Sequence, residues 1–225
     1  MDDQWAFFLR ILPELWEGLK MSMYLSVGAL SLGLVIGLPL ALVKTYGHGV
    51  LRFVVTAYIE VVRGTPMVVQ LFMVYFGLPE LGIVIDRVPA AIIALAVNSS
   101  AYQAEYFRGA ILSVSEGQYA AGRAIGMSQG QAVLHIILPQ ALRIVIPPWS
   151  NEMVYMVKYT SIAFLIAVPE LMAQGQVIIT RTFRPMETLF WVGLLYVIVL
   201  AILSQIVDWI ETRVRIPGYQ SDRRG

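Results

Sequence analysis

The chain has 225 residues, 58% of them hydrophobic and only 14% charged, with a mean hydropathy of +0.70. A soluble domain carries about 45–50% apolar and about 25% charged residues, so this composition belongs in a membrane. With 16 basic and 15 acidic residues there is no charge excess to hold nucleic acid, and the absence of cysteine removes disulfides, thiolate nucleophiles and Cys-ligated metal.

A bilayer core about 30 Å thick takes roughly 20 helical residues to cross. Trp5 to Lys20 alternates apolar and charged residues and reads as an interfacial helix. It does not read as a cleaved signal peptide, because Asp2 and Asp3 stand where a basic segment is needed and no small-residue cleavage site comes after the apolar stretch. Met21 to Val43, free of charge, is the first span. Arg52 to Leu78 is the second, interrupted by Glu60, Arg63, Gly64 and Pro66, with Thr65 as a cap and Pro66 in the first turn of the resumed helix. Val88 to Ser113 is the third and carries Asn98, Ser99, Ser100 and Gln103. Pro147 to Val168, with Glu152 and Lys158, is the fourth, and the uncharged Leu189 to Val207 is the fifth. The predicted fold is an all-α membrane protein of five transmembrane helices in one domain, 1–225.

Lys44, Arg52, Arg108, Arg123, Arg143, Arg213, Arg215, Arg223 and Arg224 fall on one side of these spans, and Arg10, Lys20, Arg87, Arg181 and Arg184 on the other. The positive-inside bias then places the amino end outside and the carboxyl end inside. The polar segment over residues 114–140, between spans three and four, is therefore cytoplasmic. It reads as helix, turn, helix: Gly126 stops the first, Ser128 caps the second, and Pro139 either ends that second helix or opens the next element. Ala132, Val133, Ile136 and Ile137 share one face of the second helix. The small residues Ala120, Ala121, Gly122 and Gly126 imply a close approach, either by a partner surface or between the two short helices.

Gly126, with Ile136, Leu138 and Pro139 after it, resembles the "EAA" loop of permease subunits in ATP-binding-cassette (ABC) importers. The likeness extends along nearly the whole chain. Arg63-Gly64-Thr65-Pro66 before Gln70-Leu71-Phe72, Asn98 with Tyr102 and Glu105, Gly117-Gln118, Leu138-Pro139-Gln140-Ala141, and Lys158 with Thr160-Ser161 are similar to the polar amino-acid branch, the histidine/glutamine-type permeases. The pattern departs at Ala120, where the triplet has Glu, at Gly122, where it has Ala, and at Tyr159, where Asp is expected. The resemblance implies an inner-membrane permease served by a separate dimer of ATPase subunits, an extracytoplasmic amino-acid-binding protein, and a second permease copy or paralogue. It implies that Ala120, Ala121, Gly122, Arg123, Gly126, Ile136, Leu138 and Pro139 form the ATPase-coupling surface, a lever worked by ATPase closure. No Gly-x-x-x-x-Gly-Lys phosphate loop occurs in the chain, no cofactor is expected, and the ATP is hydrolysed by the partner.

Lys158, near the middle of a span, costs about 2.5–3.5 kcal/mol if unpaired. Asn151, Tyr155 and Lys158 are spaced to share one helical face, and Glu152 lies on another. Two readings stand. In one, Lys158 meets the carboxylate of a zwitterionic amino acid and Glu152 its amino group, with Gln70 and Asn98 along the same pathway. In the other, Lys158 pairs with Glu60, Glu105 or backbone carbonyls and fixes helix packing. His48 and His135 are isolated and solvated, and Trp5, Trp16, Trp149, Trp191 and Trp209 read as an interfacial belt. An ion-coupled secondary transporter using Glu60, Glu152 and Lys158 as a relay is the rival function. An intramembrane enzyme lacks the residues it would need.

Overall fold

The computed structural model describes residues 2–214, and their regular structure is helical throughout. Helix α1, Asp2–Tyr46, is continuous past both Pro13 and Pro39. The separate interfacial helix expected at Trp5 to Lys20 is instead the first part of this element. The reason is a stripe at four-residue spacing: Phe7, Ile11, Leu15 and Leu19 are buried against Leu171, Ile178 and Val192, so protein covers the apolar face assigned to lipid.

Helices α2, Gly49–Gly64, and α3, Met67–Glu80, meet at an angle of 107° across Thr65 and Pro66. The expected interruption is thus a sharp turn. Thr65 is a cap as expected, at the end of α2, whereas Pro66 stands one place before the first turn of α3. The Thr65 hydroxyl donates back to the Val61 carbonyl of α2 (2.7 Å), and Pro66 is itself the cap of α3, accepting from the Val69 and Gln70 amides.

Helix α4, Arg87–Ser113, is the centre of the bundle. Ala90, Ala94, Ala101 and Ala104 are fully buried, and these short side chains let neighbouring helices approach closely. At Gly37 of α1 a Cβ would stand 2.8 Å from the Ser100 carbonyl oxygen, so only glycine fits that crossing. Two apolar clusters flank the contact, one around Ile59, Phe107, Ile137 and Ala141, the other around Leu25, Leu71, Leu95 and Met156.

The chain continues through α5, Glu116–Ala124, and α6, Gln129–Ile144, and bends by 52° into α7, Ile146–Ile166, whose last turn is 3₁₀ from Thr160. Helices α8, Leu171–Thr182, and α9, Pro185–Val214, complete the described residues. Fully buried Glu170 caps α8 by accepting from the Met172 (2.9 Å) and Ala173 (2.7 Å) amides, and it also accepts from Tyr196 of α9 and Ser22 of α1.

Two helices, α1 and α9, are long and apolar enough to cross a membrane, or up to four if each bent pair is one span. Helix α4, 27 residues or about 40 Å, has the length but not the apolarity, because its polar side faces other helices. Of the arginines used for orientation, Arg215, Arg223 and Arg224 lie outside the described residues.

The α1–α4 crossing generates a prediction. Gly37→Val should destabilise the purified protein by about 1–3 kcal/mol, because the added side chain meets backbone that has no room to yield. A lowered melting temperature in detergent is the expected result, and an unchanged one contradicts the close contact.

Candidate functional site: a polar cleft and a helical elbow

Breaking a helix inside a bilayer frees carbonyls that lipid cannot satisfy. Gln70 answers this locally. Its side chain, 8% exposed, donates Nε2 to the carbonyls of Val62 (2.7 Å) and Thr65 (2.9 Å), closing the end of α2. Its Oε1 accepts from Asn98 Nδ2 of α4 (3.2 Å), which ties the break to the central helix. Gln70 and Asn98 are thus brought together, with both amide groups of Gln70 engaged.

Beside this joint lies a cleft of about 430 Å³ lined by residues 63–68, Asn98, Tyr102, Tyr159 and Ile162. The Arg63 guanidinium sits over the Tyr102 ring, 5.4 Å from its centroid. Tyr159 continues a stripe along α7, one turn beyond the exposed Tyr155. On that stripe Asn151 and Lys158 are also exposed, and Lys158 Nζ stands 4.2 Å from the centroid of the Tyr155 ring. The helical spacing read from the sequence therefore does place Asn151, Tyr155 and Lys158 on one outward face.

Glu152 points the other way. It is 4% exposed and accepts from Ser99 Oγ (2.8 Å) and Tyr106 OH (3.4 Å) of α4. Gln103 extends this network, donating to the Leu30 carbonyl (3.1 Å) and Ser99 Oγ (3.0 Å) and accepting from Trp149 Nε1 (2.8 Å). Half-buried Trp149 thus donates its indole N–H into this network. Exposed Trp5 and half-buried Trp191 meet at Phe8 as an aromatic cluster on the surface of the bundle.

The structural partners expected for Lys158 are engaged elsewhere. Lys44 of α1 meets both Glu60 (3.1 Å) and Glu105 (2.8 Å), and Glu105 takes Arg108 through both carboxylate oxygens. This four-charge cluster joins α1, α2 and α4 and was not foreseen. The close spacing of Glu105 and Arg108, three apart on a helix, was its only visible sign. Tyr106, Tyr102 and Arg63 were likewise missed as site residues, because nothing in the spacing says which face of α4 meets the break.

The elbow of α5 and α6 is built from local rules. Gly126 has φ +90°, a left-handed conformation that side chains resist, and the Met127 and Gly126 amides bond back to the carbonyls of Gly122 and Arg123. Arg123 reinforces the turn by donating to the Met127 carbonyl (2.7 Å). Ser128 caps α6 as expected, with Gln131 completing a reciprocal capping box. Pro139 does not end α6. A π-helical turn over Val133–Ile137 precedes it, and Gln140 donates its side chain to the Ile136 carbonyl (2.8 Å).

Ala132, Val133 and Ile137 are buried and Ile136 is half-buried, so the apolar face docks on the protein's own helices. The small residues divide. Gly122 is buried, and a Cβ there would meet Ile136 at 2.6 Å, so its size serves packing within the elbow. Ala120, Ala121 and Gly126 are exposed, together with Ile125 at 76% and Pro139, and Leu138 is half-buried.

The family described as "Binding-protein-dependent transport system inner membrane component" matches residues 33–216. The glutamine transport system permease protein GlnP of Escherichia coli K12 is 40% identical over 218 residues, 96% of this chain and all of that one. The probable glutamine ABC transporter permease protein GlnM of Bacillus subtilis is 37% identical, with 88% and 92% of the two chains covered. Among solved structures, an amino acid ABC transporter with histidines superposes with a TM-score of 0.87 at 34% identity, over 92% of this chain and 97% of that one. The MetNI methionine ABC transporter, at 22% identity and a TM-score of 0.80 over 92% and 99% of the chains, shares the fold. With the central helix α4 and the elbow both inside the matched region, this chain belongs to the inner-membrane components of binding-protein-dependent transport systems.

Proposed function

We propose that this chain is the permease subunit of an ABC importer that moves polar amino acids across the cell membrane, with ATP hydrolysed by a separate subunit. The observation that carries this reading is a protein-lined cleft at a broken helix, with Arg63, Thr65 and Asn98 in its wall, next to an outward polar face of α7. Irregular backbone at membrane depth is tolerated where it lines a cavity, and that is the arrangement transport sites use. The exposed face of Asn151, Tyr155 and Lys158 lines one half of the route, and a second copy or a paralogue supplies the other half. Asn98 lines the cleft itself, and Gln70 and Glu152 hold the wall in shape from behind.

Five crossings, by α1, the α2–α3 pair, α4, the α6–α7 pair and α9, put the amino end outside and the carboxyl end inside. Segregation of charge supports this orientation: Arg10, Arg181 and Arg184 line one cleft with Asp3 and Glu14, whereas Lys44 and Arg108 share the cluster on Glu105. The elbow then faces the cytoplasm and presents Ala120, Ala121, Ile125 and Gly126 to the ATPase dimer. The fixed angle between α5 and α6 transmits ATPase closure to α4 and α7, while an extracytoplasmic binding protein delivers the cargo. The ion-coupled alternative is disfavoured, because Glu60, Glu152 and Lys158 contact Lys44, Ser99 and Tyr155 respectively and form no chain.

In proteoliposomes, uptake of a polar amino acid should require ATP, the ATPase and the binding protein together. Accumulation by this chain alone under an ion gradient contradicts the proposal. Gly126→Pro cannot adopt φ +90° and should abolish ATP-driven uptake while the chain still inserts. Normal coupled uptake by that variant removes the lever. Ala121→Glu, at an exposed position, should change the stability by no more than about 0.5 kcal/mol but release the ATPase on co-purification. Retention of the ATPase at wild-type ratio puts the docking surface elsewhere. Lys158→Met should reduce uptake. Unchanged uptake and preference with increased stability make Lys158 a packing residue.

A further inference from the structure

The elbow packs near Tyr46, at the carboxyl end of α1, and the opposite end of the same helix borders a larger cleft that transport leaves unused. The start of α1 and the turn from α8 into α9 enclose about 570 Å³ there. Asp3, Phe7, Arg10 and Glu14 recur at helical spacing and present one face of α1 to that turn. Arg181 meets Glu14 through Nη2 alone (2.8 and 3.1 Å), so its Nε and Nη1 have no acceptor among the described residues. Arg184 pairs with Asp3 (3.2 Å), lies over the Phe7 ring and makes a longer contact with Glu187 (3.7 Å). Arg10, exposed on the same wall, makes no ion pair among the described residues. Both carboxylates that line the cleft are therefore paired, and one of its three guanidinium groups is not.

Depth identifies the medium around it. Arg184 stands five positions before Leu189, where the uncharged stretch of α9 begins, or roughly 7.5 Å along the helix. The polar layer outside the hydrocarbon is about 5–8 Å thick on each side, so Arg184 lies at headgroup level. Arg181 and Arg184, three apart, hold α1 at positions eleven apart, Glu14 and Asp3, so this part of α1 runs along the headgroup layer. Phe8 stacks on Trp191 (4.1 Å between centroids), near the start of the uncharged stretch, which fixes the same level. Phe183, 87% exposed between Thr182 and Arg184, and Met186, 81% exposed, offer apolar contact beside the arginines.

We propose that this cleft binds the headgroup of an anionic phospholipid, with the phosphodiester on Arg10, Arg181 and Arg184 and the upper acyl chains against Phe183 and Met186. The phosphate supplies the acceptor oxygens that Arg10 lacks. A choline or ethanolamine headgroup brings a cation as well, and no unpaired carboxylate on the wall receives it. A glycerol headgroup adds no second charge, and its hydroxyls can donate to Asp3 or Glu14. The bound lipid is a third link between α1 and the α8–α9 turn, beside the two ion pairs.

The test is native mass spectrometry of the purified transporter assembly, titrated with phosphatidylglycerol, with phosphatidylcholine of the same chains, and with soluble glycerophosphoglycerol as the headgroup alone. Phosphatidylglycerol should be retained about fivefold more than phosphatidylcholine, and Arg10→Gln should remove that preference. Arg52→Gln, exposed at the other end of the bundle, should keep it. Arg10→Gln breaks no ion pair, and an unchanged melting temperature checks that it folds. Equal retention of the two lipids by the wild type overturns the proposal, as does a full preference in Arg10→Gln or an equal loss in Arg52→Gln. Glycerophosphoglycerol binding as tightly as the lipid makes this a site for soluble anions and overturns the lipid assignment. If Arg10→Gln keeps the lipid preference but loses stimulation of ATP hydrolysis by the binding protein, the cleft docks a protein and the proposal fails.

Discussion

A helix can be broken inside a bilayer only if the carbonyls it exposes find donors, and here one side chain supplies them. Gln70 donates to Val62 and Thr65 at the end of α2 and is held by Asn98 of α4, so a 107° turn is anchored to the central helix. Everything polar nearby depends on that joint. Beside it Arg63 projects over Tyr102, and the cleft opens between α2, α4 and α7. The lack of buried side-chain polar atoms without a partner among the described residues shows how fully the surrounding networks are satisfied.

The second constraint is rigidity at the other end of α4. The elbow is held by a glycine-terminated turn, a capping box and an apolar face docked on the Phe107 and Ile137 cluster. The Lys44 cluster ties α1, α2 and α4 together in the same region. A force applied to α5 therefore meets a stiff body, which suits a lever better than a flexible loop would. The π-helical turn before Pro139 lets the helix run on to Ile144 despite the missing amide.

Much of this was legible in the residues. Composition gave the membrane, the Arg63 to Pro66 run gave the break, and Gly126 with Ser128 gave the elbow, because each reflects a local rule of backbone geometry. The three-residue stripe on α7 came from helical period alone. What stayed hidden was which face meets which. Trp5 to Lys20 reads as interfacial because an amphipathic pattern is the same whether bilayer or α8 covers it. Nothing near Trp149 in the sequence points to Gln103, 46 residues away, as the acceptor for its indole. Gly122 and Ala121 were indistinguishable as small residues, yet one is packed under Ile136 and the other is exposed. Lys158 was given ionic partners that Lys44 in fact holds, since residues far apart in sequence carry no sign of their pairing.

The central claim is that the outward face of α7 borders water and cargo and not lipid. Because the chain contains no cysteine, single-cysteine variants report on one position at a time. The direct measurement is the labelling rate of Tyr155→Cys by a membrane-impermeant thiol reagent in the assembled transporter, with and without ATP, against Val197→Cys on exposed, apolar α9. A route along α7 predicts rapid labelling at position 155 that changes when ATP is bound, and little labelling at 197 in either state. Equal protection of both positions in both states would contradict it.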